Sequence, residues 1–328
     1  MKLHFPYGHN YDCVQCGRSC SYYGTIPVED RVVETLSQHP LGLRVAETHG
    51  SAFHKRDDGT TVMHMVAAQD PTCVYLDQDK LCKIHAELGA AAKPTTCQQY
   101  PFQFTSTPDG LFVGASFFCT SIRENSGRPM YEHSLEILEN LLPQAIITQV
   151  PDPIPLDSHR TLSWEQYRQL ESRFHQLELD QACAQLAEEN GFTPLLDVAE
   201  FSAFKLLLSL PAEADAAYGS GAALPIPASS WQGSWSDLKE AKNHAYDRQL
   251  EAWARMYMHR KLLALHRPLL HNLWSLILIP RLIRLTTALW PHEGQFWTSL
   301  EQAEILLGSR GRALDPLAAQ FSQFLARR

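Results

Sequence analysis

Cys13-Val14-Gln15-Cys16-Gly17-Arg18-Ser19-Cys20 places three thiols within one short stretch near the start of a 328-residue chain. Seven of the eight cysteines of the chain lie between Cys13 and Cys119. A thiolate is a strong ligand for soft or borderline metal ions. Two cysteines that are two residues apart can reach one ion or cluster from a single turn of chain, while remote cysteines complete the shell. This segment therefore predicts a metal centre.

Two other roles are open to cysteines in such a chain. A disulfide framework fits poorly, because the first seven residues lack the apolar stretch of a secretory signal and eight cysteines in 328 residues is a low density for a stapled domain. We therefore expect a cytoplasmic, reducing environment. Burial as a small apolar residue is the role predicted for Cys183, which follows a helical pattern.

The order of the cysteine motifs resembles a known family. Cys13-x-x-Cys16-Gly17-x-x-Cys20 is followed by Cys73 and then by Leu81-Cys82-Lys83-Ile84-His85, and the last block reads Lys93-Pro94-Thr95-Thr96-Cys97-Gln98-Gln99-Tyr100-Pro101-Phe102. Over about residues 11 to 120, the chain resembles the cysteine-cluster family described as a putative zinc- or iron-chelating domain. That family is often called YkgJ-like, and its wider membership includes the flagellin lysine N-methylases. The chain departs from the family pattern at Ser19, His85, Lys93 and Gln98.

The resemblance implies a metal held on the clustered cysteines, either an iron–sulfur cluster of the 4Fe-4S type or Zn²⁺. It also implies S-adenosylmethionine-dependent methylation of a lysine on a partner protein. The alternative is a non-enzymatic protein whose zinc or iron is structural, stored or sensed. We favour an iron–sulfur cluster, because the thiolates outnumber the four that a single closed zinc site uses.

The predicted ligands form a first set and a reserve set. The first set is Cys13, Cys16, Cys20 and Cys97, and the reserve, as alternates or as a second site, is Cys73, Cys82 and Cys119. Two sites with four ligands each would need eight ligands, and the segment has seven thiolates. Two sites would therefore need either a non-sulfur ligand such as His85 or a cluster with one open iron. An open iron can bind a small molecule, including S-adenosylmethionine. His85 has two roles open to it, metal ligand or hydrogen-bonding ring.

The predicted fold class is α+β, with a small turn-rich cysteine-cluster domain at residues 1–128 and a mainly helical region at 129–328. Two hairpins are predicted, Phe53 to Val66 around Asp58-Gly59 and Phe102 to Gly114 around Asp109-Gly110. Short helices are predicted at Val28 to Gln38 and Lys83 to Ala91. Gly17 is expected to let the backbone turn, either close to the metal or in an ordinary turn.

The second region has a helical pattern. Ser163-Trp164-Glu165-Gln166 has the form of a capping box, a further helix is predicted from Thr193, and residues 211–234 are predicted to form a flexible loop. Residues 238–265 predict one long helix with a buried stripe and a solvated basic face that includes His259, Arg260 and Lys261. The uncharged run from Pro268 to Pro280 is short for a membrane span, and a buried helix is predicted there.

The charge balance limits the partners. The formal net charge is −8 and the pI is about 6.0, which does not suit binding to phosphate backbones. We therefore expect no nucleic acid. Membrane contact is not expected either, because the apolar run from Pro268 to Pro280 is short and arginines follow it. A protein substrate is the partner that the resemblance implies. The sequence leaves the oligomeric state open.

Overall fold

The structure is a computed structural model that describes residues 2–22, 26–66, 72–189 and 246–289, together with Leu300. It has the predicted α+β fold, with short strands in several small sheets and longer helices toward the C-terminal end. The helix predicted from Thr193 and the loop predicted at residues 211–234 lie outside the described residues. The division at residue 128 stays a prediction.

The strands are short except for one central hairpin. They are β1 Leu3–His4, β2 Asn10–Tyr11, β3 Phe53–Lys55, β4 Thr61–Met63, β5 Met65–Val66, β6 Thr72–Cys73, β7 Phe102–Thr107, β8 Gly110–Ala115, β9 Arg128–Pro129, β10 Ile147–Gln149, β11 Ile154–Pro155 and β12 Thr161–Leu162.

The described α-helices are α1 Arg18–Tyr22, α2 Asp30–Gln38, α3 Pro40–His49, α4 Lys83–Leu88, α5 Thr95–Gln99, α6 Thr120–Glu124, α7 Ser134–Glu136, α8 Trp164–Gln176, α9 Leu179–Glu189, α10 Asp247–His259 and α11 Leu269–Leu289. Short 3₁₀ segments lie at Ala90–Ala92, Met130–His133, Leu142–Gln144 and Leu262–Ala264, and a π turn lies at Ile137–Leu141.

The largest sheet has the strand order β1-β8-β7-β10. Strands β7 and β8 are antiparallel, whereas β1 pairs parallel with β8 and β10 pairs parallel with β7. The N-terminal residues are therefore hydrogen-bonded to the same sheet as residues 102–115. Strand β1, which precedes Cys13 in the chain, therefore lies beside β8, which leads to Cys119.

Both predicted hairpins are confirmed. Strand β3 pairs with β4 and β7 pairs with β8, each in antiparallel register. Gly59 has φ +85° and Gly110 has φ +131°, backbone conformations that glycine adopts without a steric penalty. The two predicted short helices are also present as α2 and α4, and α4 ends before Gly89, which has φ +83°.

Two hydrophobic cores organise the described residues. The first, called here the cysteine core, is built by α2, α3, α4 and the strands around them, and its fully buried members include Leu36, Val32 and Tyr75. The second, called here the helical core, joins the large sheet to α8, α10 and α11 and includes Phe104, Val113 and Trp253. Hydrophobic burial supplies the main driving force for both.

Helix α8 begins as predicted. The Ser163 hydroxyl accepts a hydrogen bond from the Gln166 backbone N–H, and the Gln166 side chain accepts one from the Ser163 N–H. Tyr167 and Phe174 of α8 are buried. The capping box satisfies N–H groups that would otherwise lack intrahelical partners.

The prediction of a solvated basic face is wrong at two positions. Helix α10 ends at His259, because Lys261 adopts a left-handed conformation with φ +59°. Arg260 and Lys261 are then turned into the protein and are 5% and 4% exposed. The tertiary packing against the sheet overrides the helical pattern that predicted their exposure.

The apolar run near the C-terminus forms the buried helix α11, as predicted. Leu269, Leu273 and Leu276 are fully buried, and Arg284 forms an ion pair with Asp247 at 2.7 Å. Among the helices that the structure describes, none is both long and apolar enough to cross a membrane.

Candidate metal centre

The structure separates the seven clustered cysteines into two groups. Four of them belong to or pack against the cysteine core and form what is called here the four-cysteine group: Cys20, Cys73, Cys82 and Cys97. The other three lie near the start of α6 and form the three-cysteine group: Cys13, Cys16 and Cys119. All seven are free thiols.

Secondary structure fixes the four-cysteine group. Cys20 lies on α1, Cys73 lies on β6, and Cys97 lies on α5. Cys82 is the N-cap of α4 and forms an isolated β-bridge with Leu76. Leu76 lies three residues after Cys73 in the chain. Local backbone pairing therefore brings the segments of Cys73 and Cys82 together, and α1 contacts β6.

Gly17 allows α1 to approach this group. It has φ +64°, and a Cβ added to it would lie 2.9 Å from Cβ of Lys80 and 3.4 Å from Cδ2 of Leu76. The preceding Gln15 also has a positive φ, +52°. The chain therefore turns sharply between Cys16 and Cys20, which sends these two cysteines to different groups. The expectation of a backbone turn at Gly17 is confirmed.

Burial dominates the electrostatics of the four-cysteine group. It raises the pKa of Cys97 to about 12 and raises the pKa of Cys73 further still, and the negative charges of Cys20 and Cys82 act in the same direction on both. Burial also raises the pKa of Cys20, and the charge of Cys82 adds to that effect. These sulfurs are thus close enough to disfavour one another's charge, which a bound cation would reverse.

Lys93 supplies a positive charge at this group. Its ammonium opposes the effect of burial and lowers the pKa of both Cys20 and Cys97. The adjoining chain is held by α2, because Arg31 donates hydrogen bonds to the carbonyls of Ala91 and Lys93 at 3.1 and 3.3 Å. In the sequence, Lys93 was noted only as a departure from the family pattern, although its position four residues before Cys97 was a signal for this role.

Tyr75 provides two polar groups beside Cys73. Its backbone opposes the effect of burial and lowers the pKa of the Cys73 thiol. Its side chain is fully buried, and its hydroxyl has no hydrogen-bond partner in the part of the chain that the structure describes. A buried hydroxyl without a partner is costly, so the interior next to Cys73 offers a polar atom to an added group.

The three-cysteine group is built around the start of α6. Cys119 is the N-cap of this helix, and the backbone groups of Ser121 and Ile122 at the helix start oppose the effect of burial and lower the pKa of its thiol. The Cys16 thiol donates a hydrogen bond to Oγ1 of Thr120 at 3.5 Å. Burial raises the pKa of Cys119, and the charges of Cys16 and Cys13 add to the effect. Cys13 and Cys16 themselves are exposed.

Hydrogen bonds around Asp12 hold Cys13 beside α6. The Asp12 backbone N–H donates to the Ser126 carbonyl at 3.1 Å, and the Ser121 hydroxyl donates to the Asp12 carbonyl at 2.6 Å. The Asp12 carboxylate pairs with Arg128 at 3.2 Å. A Cβ at Gly127 would lie 2.4 Å from the Asp12 nitrogen, so this close approach requires glycine.

Two guanidinium groups accompany the three-cysteine group. Burial lowers the pKa of Arg123, the nearby charge of Arg18 lowers it further, and the charges of Cys119 and Cys16 oppose this. Arg123 donates a hydrogen bond to Oγ1 of Thr120 at 3.2 Å, the oxygen that also accepts from Cys16. Neither Thr120 nor Arg123 was predicted as a site residue, because each lies about a hundred residues from Cys16 in the chain. Arg18 lies two residues after Cys16 and was not predicted either.

The grouping differs from the predicted first ligand set, which joined Cys13 and Cys16 to Cys20 and Cys97. That set stays a prediction, since in the described residues no three His, Cys, Asp or Glu side chains stand close enough together to hold a metal ion as arranged. His85 is exposed on α4, and no described group is hydrogen-bonded to its ring. The donor set nevertheless fits a thiophilic metal, because it consists of free thiols.

Comparison with known proteins gives one match. Residues 12–120 match the CxxCxxCC family model, which is described as a putative zinc- or iron-chelating domain. No curated protein and no solved structure matches the chain. The matched segment contains all seven cysteines of the two groups and ends at Thr120, directly after Cys119.

Proposed function

We propose that the protein holds an iron–sulfur cluster on its four-cysteine group, since residues 12–120 match the family model described as a putative zinc- or iron-chelating domain. The ligands would be Cys20, Cys73, Cys82 and Cys97. The observation that carries the proposal is their common position at one buried core, with each thiol affecting the charge of another.

Three features support a metal at this position. The thiols are free, as expected in a reducing, cytoplasmic setting. Lys93 places a positive charge near two of the four sulfurs. Uncharged thiols at Cys73 and Cys97 would lose protons on metal binding, and the bound cation would then offset the repulsion between the thiolates. The bound group would supply thiolate-ligated metal chemistry, and the chain supplies the dry, partly cationic site.

We favour an iron–sulfur cluster over zinc because the segment has thiolates beyond the four of a closed zinc site. Metal and acid-labile sulfide analysis on protein purified without oxygen decides between them. Iron with sulfide and broad absorbance near ~400 nm, as thiolate-ligated clusters give, supports the cluster. One zinc per chain without sulfide supports a closed structural site, which is the non-enzymatic alternative. Protein that takes up neither metal contradicts the proposal.

The ligand assignment has its own test. Cys82→Ser and Cys97→Ser should each remove most of the metal bound at the four-cysteine group, because a hydroxyl is a poor ligand for such metals. Cys183→Ser is the matched control, since Cys183 lies on α9, outside the matched segment. Metal content in the two variants equal to that of the control would contradict the assignment.

The proposal extends to activity through one observation. Cys13 and Cys16 are exposed, so a metal bound there would be reachable by S-adenosylmethionine and by a lysine of a partner protein. The resemblance to lysine N-methylases implies methyl transfer between them. Incubation of the reconstituted protein with labelled S-adenosylmethionine and cell extract should then label a protein. No labelled protein at any redox state would leave the non-enzymatic metal protein as the function.

A further inference from the structure

We propose that the helical run from Met130 to Leu141 is a docking surface for a basic amphipathic helix of a partner protein. The apolar contacts would come from Tyr131, Leu135 and Leu138, called here the apolar stripe. The inference goes beyond the proposed function and does not depend on a bound metal, so the two can fail separately.

The run packs against the rest of the protein through one face. Met130 and Ile137 are buried in the helical core. The Nε2–H of the buried His133 donates a hydrogen bond to the Tyr11 carbonyl at 2.7 Å. The backbone is helical from Met130 to Leu141, so these contacts hold the outer face in one position. A surface that is fixed before binding loses little conformational entropy when a partner docks.

The outer face of the run is apolar. Tyr131, Leu135 and Leu138 are 60%, 69% and 41% exposed. Their positions i, i+4 and i+7 lie on one face of a helix. Single exposed apolar side chains are ordinary, whereas several that share one face mark an interaction site. The apolar stripe is therefore a candidate contact surface that the described residues leave open to solvent.

Acidic side chains accompany the apolar stripe. Glu132, Glu136 and Glu139 repeat its spacing one residue later in the chain, and all three are exposed. Glu136 pairs with Arg128 at 3.5 Å, whereas Glu132 and Glu139 form no ion pair or hydrogen bond with any residue that the structure describes. Residues 129–159 contain no lysine or arginine. The surface around the stripe is therefore negative and largely without counter-charges.

These charges indicate which partner fits the stripe. A second copy of this chain would bring a second set of glutamates and a formal net charge of −8, so like charges would oppose the pairing. An anionic lipid surface would be repelled for the same reason. A partner helix with an apolar face and flanking lysine or arginine residues complements both the stripe and the glutamates, as flanking charges do in paired helices.

Fluorescence anisotropy with two synthetic peptides tests the docking on full-length protein. One peptide is an amphipathic helix of leucine and lysine, and the other has glutamate at every lysine position. The lysine peptide should bind and the glutamate peptide should not. Leu135→Gln should weaken binding about tenfold, as the loss of an apolar contact at an interface does. Leu43→Gln is the matched control, because Leu43 is an exposed leucine on α3.

A charge variant tests the acidic side chains separately. Glu132→Gln combined with Glu139→Gln should weaken binding of the lysine peptide and make its affinity less dependent on salt. Equal affinity in wild type and Leu135→Gln, equal binding of the two peptides, or an unchanged salt dependence in the charge variant overturns the proposal.

Three measurements test other occupants of the stripe. A wild-type dimer that Leu135→Gln converts to a monomer in sedimentation would assign the stripe to a second copy. Binding to phosphatidylcholine vesicles that Leu135→Gln abolishes would assign it to a lipid surface. A loss of stability to urea in Leu135→Gln that Leu43→Gln does not show would mean that the same chain covers it. Each of these results overturns the proposal. Wild-type protein that holds no metal and still binds the lysine peptide as expected overturns the proposed function alone.

Discussion

Nζ of Lys261 lies 2.6 Å from Oε2 of Glu171, and both side chains are buried. The Tyr167 hydroxyl donates a hydrogen bond to the other carboxylate oxygen at 2.9 Å. The ammonium also lies 3.9 Å from the centroid of the Phe112 ring. This contact therefore connects α8, the large sheet and the turn after α10 inside the helical core.

Removal of one charge of this pair should destabilise the protein. Lys261→Met leaves the Glu171 carboxylate buried without its counter-charge, at an expected loss of about 3–5 kcal/mol in the free energy of unfolding. Denaturation by urea measures the loss. The double variant Lys261→Met with Glu171→Gln keeps an acceptor for the Tyr167 hydroxyl and removes both charges, so it should be more stable than Lys261→Met alone. Equal stability of the two variants would contradict the assignment of the loss to an unpaired carboxylate.

Acid should destabilise the folded protein through the buried imidazole of His9 and the half-buried imidazole of His259. Burial lowers the pKa of His9 to about 4 and the pKa of His259 to about 3, whereas both lie near 6.5 in the unfolded chain. Their contribution to stability is complete above about pH 6.5 and is lost as the pH falls toward the folded values. Each histidine adds at most about 1.4 kcal/mol per pH unit to the decline.

The check is the slope of unfolding free energy against pH between about 6.5 and 4. His259→Gln should make this slope less steep. The pH dependence that His9 contributes should remain. His159→Gln is the matched control, because His159 is exposed. Any pH dependence of metal binding is common to wild type and both variants, so the comparison isolates the imidazoles. Parallel slopes in wild type and His259→Gln would show that His259 does not titrate in this way.

Local sequence signals predicted the elements that depend on local physics. The capping box of Ser163 and Gln166, and the glycines in the turns of both hairpins, act within a few residues and formed as expected. The exposure of Lys261 could not be predicted in the same way. Lys261 itself adopts the left-handed conformation that ends α10, and its ammonium pairs with Glu171, which lies 90 residues earlier. These two features bury its side chain.

The candidate site shows the same division. Cysteine spacing and the order of the motifs predicted all seven thiols as candidate ligands, and that assignment stays a prediction. The spacing did not predict how the seven cysteines divide into the four-cysteine and three-cysteine groups. That division depends on the backbone turn at Gly17 and on the contact of Cys16 with Thr120, 104 residues away. Spacing suggested that Cys20 belongs with Cys13 and Cys16, whereas three-dimensional packing places it beside Cys73.

Metal binding by the four-cysteine group should release protons. Burial raises the pKa of Cys97 to about 12, and the pKa values of Cys20 and Cys73 are also raised, so these thiols are protonated near neutral pH without metal. The apparent affinity for zinc should therefore rise between about pH 6 and 8, by up to about tenfold per pH unit for each proton released. Calorimetry in two buffers of different ionisation enthalpy counts the protons. Proton release close to zero would mean that the thiols are already charged in the metal-free protein.

The contact of Gly17 with Lys80 should control metal retention. Gly17→Ala introduces a side chain at φ +64° and places its Cβ 2.9 Å from Cβ of Lys80, so α1 must move away from β6 and carry Cys20 with it. Gly8→Ala has the same backbone cost of about 1–2 kcal/mol, since Gly8 has φ +74°, but no atom lies within 4 Å of the added Cβ. Both variants should therefore be less stable than the wild type. Only Gly17→Ala should also lose its metal to a chelator faster than the wild type does.

A second substitution separates contact from strain. Lys80 itself has φ +65°, so Lys80→Gly relieves its own backbone and removes the Cβ that Gly17→Ala would meet. The double variant should recover most of the metal retention that Gly17→Ala loses, measured as metal per chain after competition with the chelator. Recovery is the outcome that a close packing of α1 requires, because the added methyl group then has space. If the double variant loses metal as fast as Gly17→Ala, the approach of α1 to Lys80 does not hold Cys20 in place.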